Sequence, residues 1–372
     1  MTTIFIKDDL RASVEAASGG KQTVLYTASG QPTYMNVIPK FNGQDVDAGL
    51  PAGIHPAFIV NGVEKTELFI GTNQGIVKNG ELLSLPGVDA STSFNHDQAV
   101  AYARACGTGH HCMSNIEFSA LALWCRANSF QPRGNTNWGK SSDSAWESAR
   151  RIDGLAPGTA SGTSRNLTGS GPVSWRHDNS NSGISDLSGN IWEWTPGMRV
   201  AFGEIQIIAN NNAALNAADF SATSADWKAI DGSTGALVTP TFTGTIAGGT
   251  YAPTTTNSVR YAVSGTANYT LVRASGSSFE GMTNPGVTPV GATALALLKA
   301  YGLYPTAVLL GGTIAVPAAN GDAFYLNAAI EAMPIRGGDW GSAAGAGVFS
   351  LNCGNPRAGA GSGGGARPAF VL

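Results

Sequence analysis

Residues 186–194 of this chain read DLSGNIWEW, and residues 336–351 read RGGDWGSAAGAGVFSL. On an extended strand, Trp192 and Trp194 place both rings on one face, and Glu193 lies on the opposite face. The second stretch contains too much glycine to support a helix, and its evident strand is residues 347–351. Because apolar residues recur between the glycines, we expect an ordered, anchored loop system rather than a flexible linker.

The composition of the whole chain limits what it can be. Its 372 residues predict about two to three domains. Hydrophobic residues make up 42%, enough for a sizeable core, and charged residues only 13%. The net charge of -3 argues against a nucleic-acid partner, which requires a basic face. We also expect no membrane insertion, because the sequence contains no apolar run of about 18 residues.

Cysteines and catalytic motifs give little indication of an enzyme. The four cysteines are Cys106, Cys112, Cys125 and Cys353, and none forms a CxxC pair. We expect free, partly buried thiols. The sequence has no nucleophile elbow, HExxH, phosphate-binding loop or dinucleotide-binding motif. The adjacent pair His110 and His111 does not favour a metal site, because neighbouring side chains on an extended segment point apart.

The chain divides into regions of different character. Residues 1–53 contain a predicted helix over 8–17 and strands over 23–27 and 34–38. They are too few for a core of their own, so we interpret them as an attachment or oligomerisation arm. Residues 201–330 are rich in Thr, Ala and Gly and predict a β-rich insertion, with strands near 239–246, 261–264 and 269–272 and a helix that ends at Gly302.

Residues 54–200 predict a compact α+β unit. We expect a strand over 67–71, a hairpin turn with Asn-Gly at its centre over 78–81, and a helix over 97–106. A second helix begins at the capping box formed by Ser114 and Glu117. Its apolar side chains recur at helical spacing and predict one face packed on a sheet; they are Phe118, Leu121, Ala122 and Cys125.

The motifs 189–194 (GNIWEW), 336–340 (RGGDW) and 365–367 (GAR), in this order, resemble the GNVWEW, RGGSW and GFR series of formylglycine-generating-enzyme-like domains. The resemblance covers residues 54–200 and 331–372, and leaves 201–330 as an insertion. It implies an α+β, C-type-lectin-type fold. The scaffold residues that it implies are Trp192, Trp194, Arg336, Trp340, Phe349 and Arg367.

The same family suggests two chemistries to test. Its oxidase activity depends on a cysteine pair in the C-terminal part, where this chain has only Cys353. We therefore expect no enzyme, and keep an oxidase or an inactive relative as the alternative. The family also implies a structural calcium ion, for which Asp186 and Glu193 would supply carboxylates and Gly189 and Ile191 carbonyl oxygens. The alternative is a tryptophan core in which Glu193 accepts hydrogen bonds from backbone amides. No other cofactor is expected.

The C-terminal segment is also similar to the variable proteins of diversity-generating retroelements, which share the lectin-type fold and include phage tropism determinants. Their framework pattern fits residues 336–340, 346–351 and Arg367, with Ala366 in place of the usual aromatic residue. The resemblance implies a variable region over 336–367, and its mutable positions are Asp339, Gly341, Ser342, Gly345, Asn352, Gly354, Asn355, Gly359, Gly361 and Gly363.

Each of these positions holds Asn, Asp, Ser or Gly, the residues that A-to-G changes produce from AAC-type codons. Surface loops favour the same residues for conformational reasons. None is Tyr or Trp, which dominate many binding hot spots, so we expect weak binding per subunit that avidity would raise.

The resulting hypothesis is a receptor-binding protein of a phage or prophage tail tip. The N-terminal arm would bind virion tail proteins, and the variable region would bind a protein or glycan receptor on the host surface. Phage relatives imply a homo-oligomer, specifically a trimer. Residues 1–15 lack the pattern of a signal peptide, so we expect synthesis in the host cytoplasm followed by incorporation into the virion. A bacterial surface adhesin, which would need a signal or lipobox, is a further alternative.

Overall fold

A computed structural model of the chain describes residues 8–247, 249–273, 278–307 and 321–372. Parts of the predicted arm (1–7) and insertion (248, 274–277 and 308–320) lie outside these ranges. The fold is mixed α+β, with many strands and few helices. The helices are α1 Asp9–Ser18, α2 Gly43–Val46, α3 His96–Arg104, α4 Asn115–Ala127 and α5 Ala292–Ala300. Within the described ranges, no helix combines the length and apolar character needed to cross a bilayer.

The strands are short, and most join two sheets. They are β1 Gln22–Tyr26, β2 Pro32–Pro39, β3 Ile59–Val60, β4 Val63–Glu64, β5 Glu67–Gly71, β6 Gly75–Lys78, β7 Glu81–Ser84, β8 His110–Cys112, β9 Trp192–Trp194, β10 Met198–Ala201, β11 Glu204–Ile208, β12 Trp227–Ile230, β13 Leu237–Val238, β14 Phe242–Thr243, β15 Ala252–Pro253, β16 Arg260–Ala262, β17 Thr270–Val272, β18 Phe324–Leu326, β19 Glu331–Gly337, β20 Gly347–Pro356, β21 Gly364–Gly365 and β22 Pro368–Phe370.

The first sheet brings the two ends of the chain together. Its order is β1-β2-β5-β22-β8, and each pair is antiparallel. The C-terminal strand β22 lies between β5 and β8, and β2 pairs with β5 from Met35 to Pro39. The described part of residues 1–53 is therefore continuous with the sheet of the central unit. An attachment role for it stays a prediction.

The second sheet follows the path β13-β12-β11-β10-β19-β20-β18, with β9 beside β19 and β21 beside β9. β11 pairs with β10 over four residue pairs, and β10 pairs with β19. The chain therefore crosses residue 200, the predicted start of the insertion, inside one sheet. Strands of residues 201–330 and of residues 331–372 share that sheet, and β18 pairs with β20 in parallel, so their backbone groups satisfy one another across the predicted boundary.

Helix α4 lies at the centre of the main core. The capping box of Ser114 and Glu117 is present, as predicted. The helix is buried along its length except at Trp124 and Ala127, so more than the predicted single face is covered. Its side chains share one apolar cluster with residues of β2 and β5 from the first sheet and of β10, β11 and β20 from the second. α4 therefore packs against both sheets.

A buried ion pair fixes the start of α4 to β8. Nε2 of His111 lies 2.9 Å from one Glu117 carboxylate oxygen and 3.1 Å from the other, while Nδ1 lies 3.0 Å from the Gly109 carbonyl oxygen. Both ring nitrogens thus face acceptors, which favours the doubly protonated ring. Burial alone would lower the pKa of His111, but the charge and hydrogen bond of Glu117 raise it above its ordinary value. The side chain of His110 instead packs on Phe370.

Several local predictions are confirmed, and others are not. The hairpin of β6 and β7 turns at Asn79 and Gly80, both with positive φ. α5 ends just before Gly302, which has the left-handed conformation expected there. The predicted strand over 239–246 is reduced to β14. Helix α1 forms as predicted, but none of its residues is buried. Its one weakly apolar face is not covered by a hydrophobic core.

Candidate functional site

The predicted scaffold residues lie inside the molecule. Arg336 and Arg367 are fully buried, and Trp192, Trp194 and Phe349 are buried. Trp340 is half-buried. Ala366, where the resemblance has an aromatic residue, is also fully buried and belongs to the second apolar cluster, together with Leu82 and Trp192.

Arg367 holds the DLSGNIWEW segment in place. Its guanidinium donates to both carboxylate oxygens of Glu193, at 2.9 and 2.6 Å. It also donates to the carbonyl oxygens of Gly71, Ser185 and Asp186. Glu193 therefore pairs with a buried cation, whereas the sequence interpretation gave it backbone amides as partners. A fully desolvated ion pair fixes geometry strongly, because loss of either partner leaves an unpaired buried charge.

Arg336 is held by neutral acceptors. Its Nε donates to Oδ1 of Asn115 at 2.8 Å, and Nη2 donates to the Gly302 carbonyl oxygen at 2.8 Å. The Gly302 carbonyl lies just past the C-terminus of α5, where the helix dipole favours a positive charge. Burial lowers the pKa of Arg336 to about 10, so the side chain remains charged at neutral pH and ties α4, α5 and β19 together.

The ten predicted mutable positions occupy a different environment. None of them is buried, and Gly341 and Gly361 are exposed. Along β20 the buried anchors Val348, Phe349 and Leu351 precede partly exposed Asn352, and Cys353 is again buried before Gly354. Residues 347–351 are all buried, and burial alternates with partial exposure, as expected of a strand with one covered face, only over residues 351–354.

The loop after β19 is fixed by its backbone. The N–H of Trp340 donates to the Asn190 carbonyl oxygen at 3.3 Å, and the Trp340 carbonyl oxygen accepts from the N–H of Trp138 at 3.0 Å. The N–H of Ala343 donates to the Thr136 carbonyl oxygen at 2.9 Å. Two mutable positions have local roles here: Oδ1 of Asp339 accepts from the N–H of Gly341 and the hydroxyl of Ser342, and that hydroxyl accepts from the N–H of Asp339 at 3.0 Å.

The glycines of the framework motifs leave no room for a side chain. Gly337 and Gly338 have φ of +92° and +89°, and a Cβ would lie 2.8 Å from the Leu187 carbonyl oxygen and 2.5 Å from Ala346 Cβ, respectively. A Cβ on Gly347 would overlap the carboxyl group of Asp322, and one on Gly365 would lie 2.5 Å from the Ser91 carbonyl oxygen. These four positions require glycine.

The glycines at mutable positions range from open to tight. None of the six has a φ in the left-handed region. A Cβ on Gly361 would meet nothing within 4 Å, and one on Gly341 would meet only Asp339 Oδ1, at 3.8 Å. A Cβ on Gly354 would lie 3.0 Å from Asn352 Oδ1 and one on Gly363 would lie 2.8 Å from Asp339 Oδ2, so these two side chains, themselves at mutable positions, would have to move.

Two further mutable glycines, Gly345 and Gly359, are also tight, and their neighbours are not mutable side chains. A Cβ on Gly345 would lie 3.3 Å from Ala323 Cβ, and one on Gly359 would lie 3.1 Å from the Pro356 carbonyl oxygen. Because the Pro356 oxygen belongs to the backbone and accepts from the N–H of Gly359, it cannot move freely. Both positions accept a side chain only after a small shift of their surroundings.

Three of the four predicted calcium ligands converge on an amide nitrogen, and Asp186 joins them through its carbonyl oxygen, whereas its carboxylate Oδ2, the predicted ligand, accepts from the N–H of Gly169 at 3.0 Å. Nε2 of Gln74 lies 3.0 to 3.2 Å from the carbonyl oxygens of Asp186, Gly189 and Ile191 and 3.1 Å from Glu193 Oε1. A donor nitrogen therefore occupies the position a cation would need, and the residues do not fit calcium. Within the described ranges, no three His, Cys, Asp or Glu side chains form a metal-binding group.

All four thiols are buried and free. Burial raises the pKa of Cys353 to about 12 and that of Cys106 to about 11, and it raises the pKa of Cys112 and Cys125 further still. The thiolate is the form that attacks substrates and binds metals. Neutral thiols away from solvent are therefore the chemistry that this environment favours.

Three residues that support this region carry no motif in the sequence. Gln74 follows β5 without any motif that marks it. Asp322 accepts a hydrogen bond from the N–H of Phe349 at 2.6 Å, and burial beside Glu280 raises its pKa to about 7. Tyr325, 39% exposed, pairs with Asn352 across β18 and β20 and packs edge-on against Trp192. Their partners are distant in sequence, so no local signal could have found them.

Comparison with known proteins does not assign this chain to a family. No protein-family model matches the chain, and no curated protein matches its sequence. Among solved structures, the chain is similar to PvdO from Pseudomonas aeruginosa, with 14% identity over 94% of this chain and 98% of that chain and a TM-score of 0.32. A TM-score of this size carries no conclusion about fold or function.

Proposed function

We propose that this chain is a receptor-binding protein with a hypervariable recognition surface in residues 336–367, built on a C-type-lectin-type, formylglycine-generating-enzyme-like scaffold. It would belong with the variable proteins of diversity-generating retroelements and act at a phage or prophage tail tip. One observation carries the proposal: glycines at the mutable positions are exposed or partly exposed, and a Cβ would meet open space at Gly341 and Gly361 and the ends of mutable side chains at Gly354 and Gly363, whereas framework glycines lie against backbone or packed side chains.

The framework holds the ends and the first loop of this surface, and the exchangeable side chains of Asp339, Ser342 and Asn352 add hydrogen bonds only to residues within the surface. Buried Arg336 and Arg367 fix the two ends of the variable region, and the backbone hydrogen bonds of Trp340 fix its first loop. Loops positioned by a rigid scaffold commonly carry binding residues. A change of side chain at Gly361 therefore alters what the surface presents and leaves the scaffold intact.

In this copy the surface presents few side chains of its own. Its polar groups come from Asp339, Ser342, Asn352 and Asn355, and the fixed neighbour Tyr325 adds a partly exposed aromatic ring. Since aromatic residues dominate binding hot spots, one subunit would bind weakly, and a homo-oligomer, specifically a trimer, would raise avidity. The ligand would be a protein or glycan on the host surface, and the N-terminal residues would bind virion tail proteins.

Selection from libraries tests the proposal. The full chain is displayed with all ten mutable positions encoded by codons that vary at adenine, and is selected against a purified protein such as lysozyme. A control library varies ten exposed positions elsewhere, including α1. We expect binders from the first library and few from the second. Equal yields from both, or loss of folded protein in the first, would contradict the proposal.

The surrounding DNA provides a second test. The proposal expects an adenine-rich near-copy of the codons for residues 336–367 beside a reverse-transcriptase gene. Differences between the two copies should fall on the ten positions and spare the codons of Gly337, Gly338, Gly347 and Gly365. A near-copy that differs mainly at those four codons would contradict the assignment of framework and surface.

The oxidase alternative receives no support from the geometry around Cys353. That thiol is fully buried, its pKa is raised to about 12, and it forms no disulfide. Copper binding by the purified chain, together with oxygen consumption in the presence of a cysteine-containing peptide, would favour the oxidase over the receptor-binding proposal.

A further inference from the structure

The DLSGNIWEW segment is closed around a buried amide group. Gln74 is fully buried, and its Nε2 is surrounded by the four oxygens of Asp186, Gly189, Ile191 and Glu193. The amide has two hydrogens, so it shares them among these acceptors. The distances of 3.0 to 3.2 Å are those of N–H···O hydrogen bonds, longer than the roughly 2.3–2.6 Å at which calcium binds oxygen.

The orientation of this amide is fixed by a chain of hydrogen bonds. The backbone N–H of Asn166 donates to Asn190 Oδ1 at 2.7 Å, which leaves Asn190 Nδ2 to donate to Gln74 Oε1 at 2.8 Å. If Gln74 were flipped, two amide nitrogens would face each other, and its oxygen would face four acceptors. Because a backbone N–H can only donate, the arrangement allows one assignment, with Gln74 Nε2 toward the four oxygens.

The charge balance also leaves no place for a divalent cation. The one carboxylate side chain in the cage, Glu193, is already paired with Arg367 through two hydrogen bonds. The same guanidinium approaches the Asp186 carbonyl oxygen at 3.3 Å. Calcium at the cage centre would lie beside this positive charge and would have to displace the amide.

We infer that the amide of Gln74 replaces the structural cation implied by the family resemblance, so that the segment folds without calcium. The amide links the chain after β5 to residues 186–193. These residues lead into β9, where Trp192 pairs with Gly364 and its N–H donates to the Gly363 carbonyl oxygen at 2.8 Å. The variable region is therefore supported by the network of hydrogen bonds around Gln74, and the stability of this network does not depend on calcium concentration.

Metal analysis and thermal unfolding of the full chain test the first half of the inference. After dialysis against calcium and then against buffer, the protein should carry no stoichiometric calcium, and its Tm in EDTA and in millimolar calcium should agree within about 1 °C. One retained equivalent of calcium, or a Tm that falls by several degrees in EDTA, would overturn the inference.

Gln74→Glu tests the donor role. At neutral pH its carboxylate would place a negative oxygen among four acceptors, and the Tm should fall by at least about 5 °C. As the pH falls, the carboxyl group gains a proton that it can donate, so the deficit relative to wild type should shrink. A deficit that does not change with pH, or no deficit at all, would overturn the donor role.

Two further variants keep the test decisive. Gln98→Glu makes the same chemical change at a capping-box side chain that accepts from the N–H of Asn95, so its Tm should stay near that of wild type. If Gln74→Glu does not fold, Gln74→Met removes the donor and adds no charge. A Gln74→Met protein as stable as wild type would contradict the inference, and a lower Tm that calcium does not restore would support it.

Discussion

Two groups of glycine share the last part of the chain and differ in their surroundings. Gly337, Gly338, Gly347 and Gly365 lie where a Cβ would press on backbone or on buried side chains. Gly341, Gly354, Gly361 and Gly363 lie where a Cβ would meet open space or the end of a replaceable side chain. The first group belongs to the framework motifs and the second to the mutable positions, so the sequence pattern and the packing agree at these eight glycines, whereas Gly345 and Gly359, also mutable, are tightly packed.

This difference explains how a segment so rich in glycine can be both ordered and exchangeable. Framework glycines let the backbone of β19, β20 and β21 approach its neighbours closely, while buried side chains hold it there. The exposed glycines are not needed for such a close approach of the backbone. A surface built in this manner can change its side chains without changing the fold beneath it.

The largest expected effect is on the framework. Arg367→Met should lower the free energy of unfolding by about 3–5 kcal/mol, because it leaves Glu193 buried and unpaired. Arg165→Met is the matched control, since it removes an ion pair with partly exposed Asp89 and should change stability by about 0–1 kcal/mol. Urea unfolding measures both variants. Equal losses would show that Arg367 has no special structural role.

Two glycines three residues apart give the most direct contrast. Gly338→Ala should lower the free energy of unfolding by about 2–4 kcal/mol, through backbone strain and overlap with Ala346. Gly341→Ala should change it by no more than about 0.5 kcal/mol. The same urea titration compares them, and a Gly341→Ala loss as large as that of Gly338→Ala would remove the distinction between the two groups.

The contribution of the framework to the free energy of unfolding also depends on pH. His111→Gln should cost about 1.5–3 kcal/mol where the ion pair with Glu117 is fully charged. The raised pKa of His111 makes its contribution complete below pH 6.5 and lost as the pH rises through the folded-state value. The carboxyl group of Glu117 shows the reverse behaviour. Burial would raise its pKa, but the charge of His111 holds it below 4.5, so its contribution is lost in stronger acid.

The difference between wild type and His111→Gln should therefore be greatest between about pH 4.5 and 6.5 and should shrink on either side. Unfolding titrations across that range measure it. A difference that stays constant with pH would mean that the pair acts through packing alone.

The smallest expected effect is at the exposed glycines. Gly361→Tyr should leave the free energy of unfolding within about 0.5 kcal/mol of wild type, because its Cβ meets nothing within 4 Å. Gly359→Tyr should cost about 1 kcal/mol, since the Pro356 carbonyl oxygen must give way. Thermal unfolding of the pair checks this order, and the reverse order would show that the backbone is placed differently.

Local features could be predicted from the sequence because their causes lie within a few residues. The Asn-Gly turn between β6 and β7, the capping box of α4 and the glycine after α5 are of this kind. Pairing between distant strands could not be predicted: β22 enters the sheet of β2 and β5, and β11 joins β10 and β19 in one sheet. Periodicity shows which face of a strand is buried, but it does not name the neighbouring strand.

The candidate site shows the same limit. The alternation of anchors and open positions along 336–367 follows from the sequence pattern. The partners of the scaffold do not, because Arg367 bonds to Glu193 and Gln74 reaches Gly189 across more than a hundred residues each. Of the predicted calcium ligands, the carbonyls of Gly189 and Ile191 and the carboxylate of Glu193 lie around Gln74, but the Asp186 carboxylate lies elsewhere, and Gln74 itself carried no sequence signal.

The central claim is that the exposed positions are exchangeable and the framework positions are not. One thermal-unfolding comparison tests it most directly: a variant with Gly341→Tyr, Gly354→Tyr, Gly361→Tyr and Gly363→Tyr together, against a second variant with Gly337→Ala, Gly338→Ala, Gly347→Ala and Gly365→Ala. We predict that the first unfolds cooperatively within about 3 °C of wild type and that the second does not fold. A first variant that loses its cooperative transition, or a second as stable as wild type, would contradict the account.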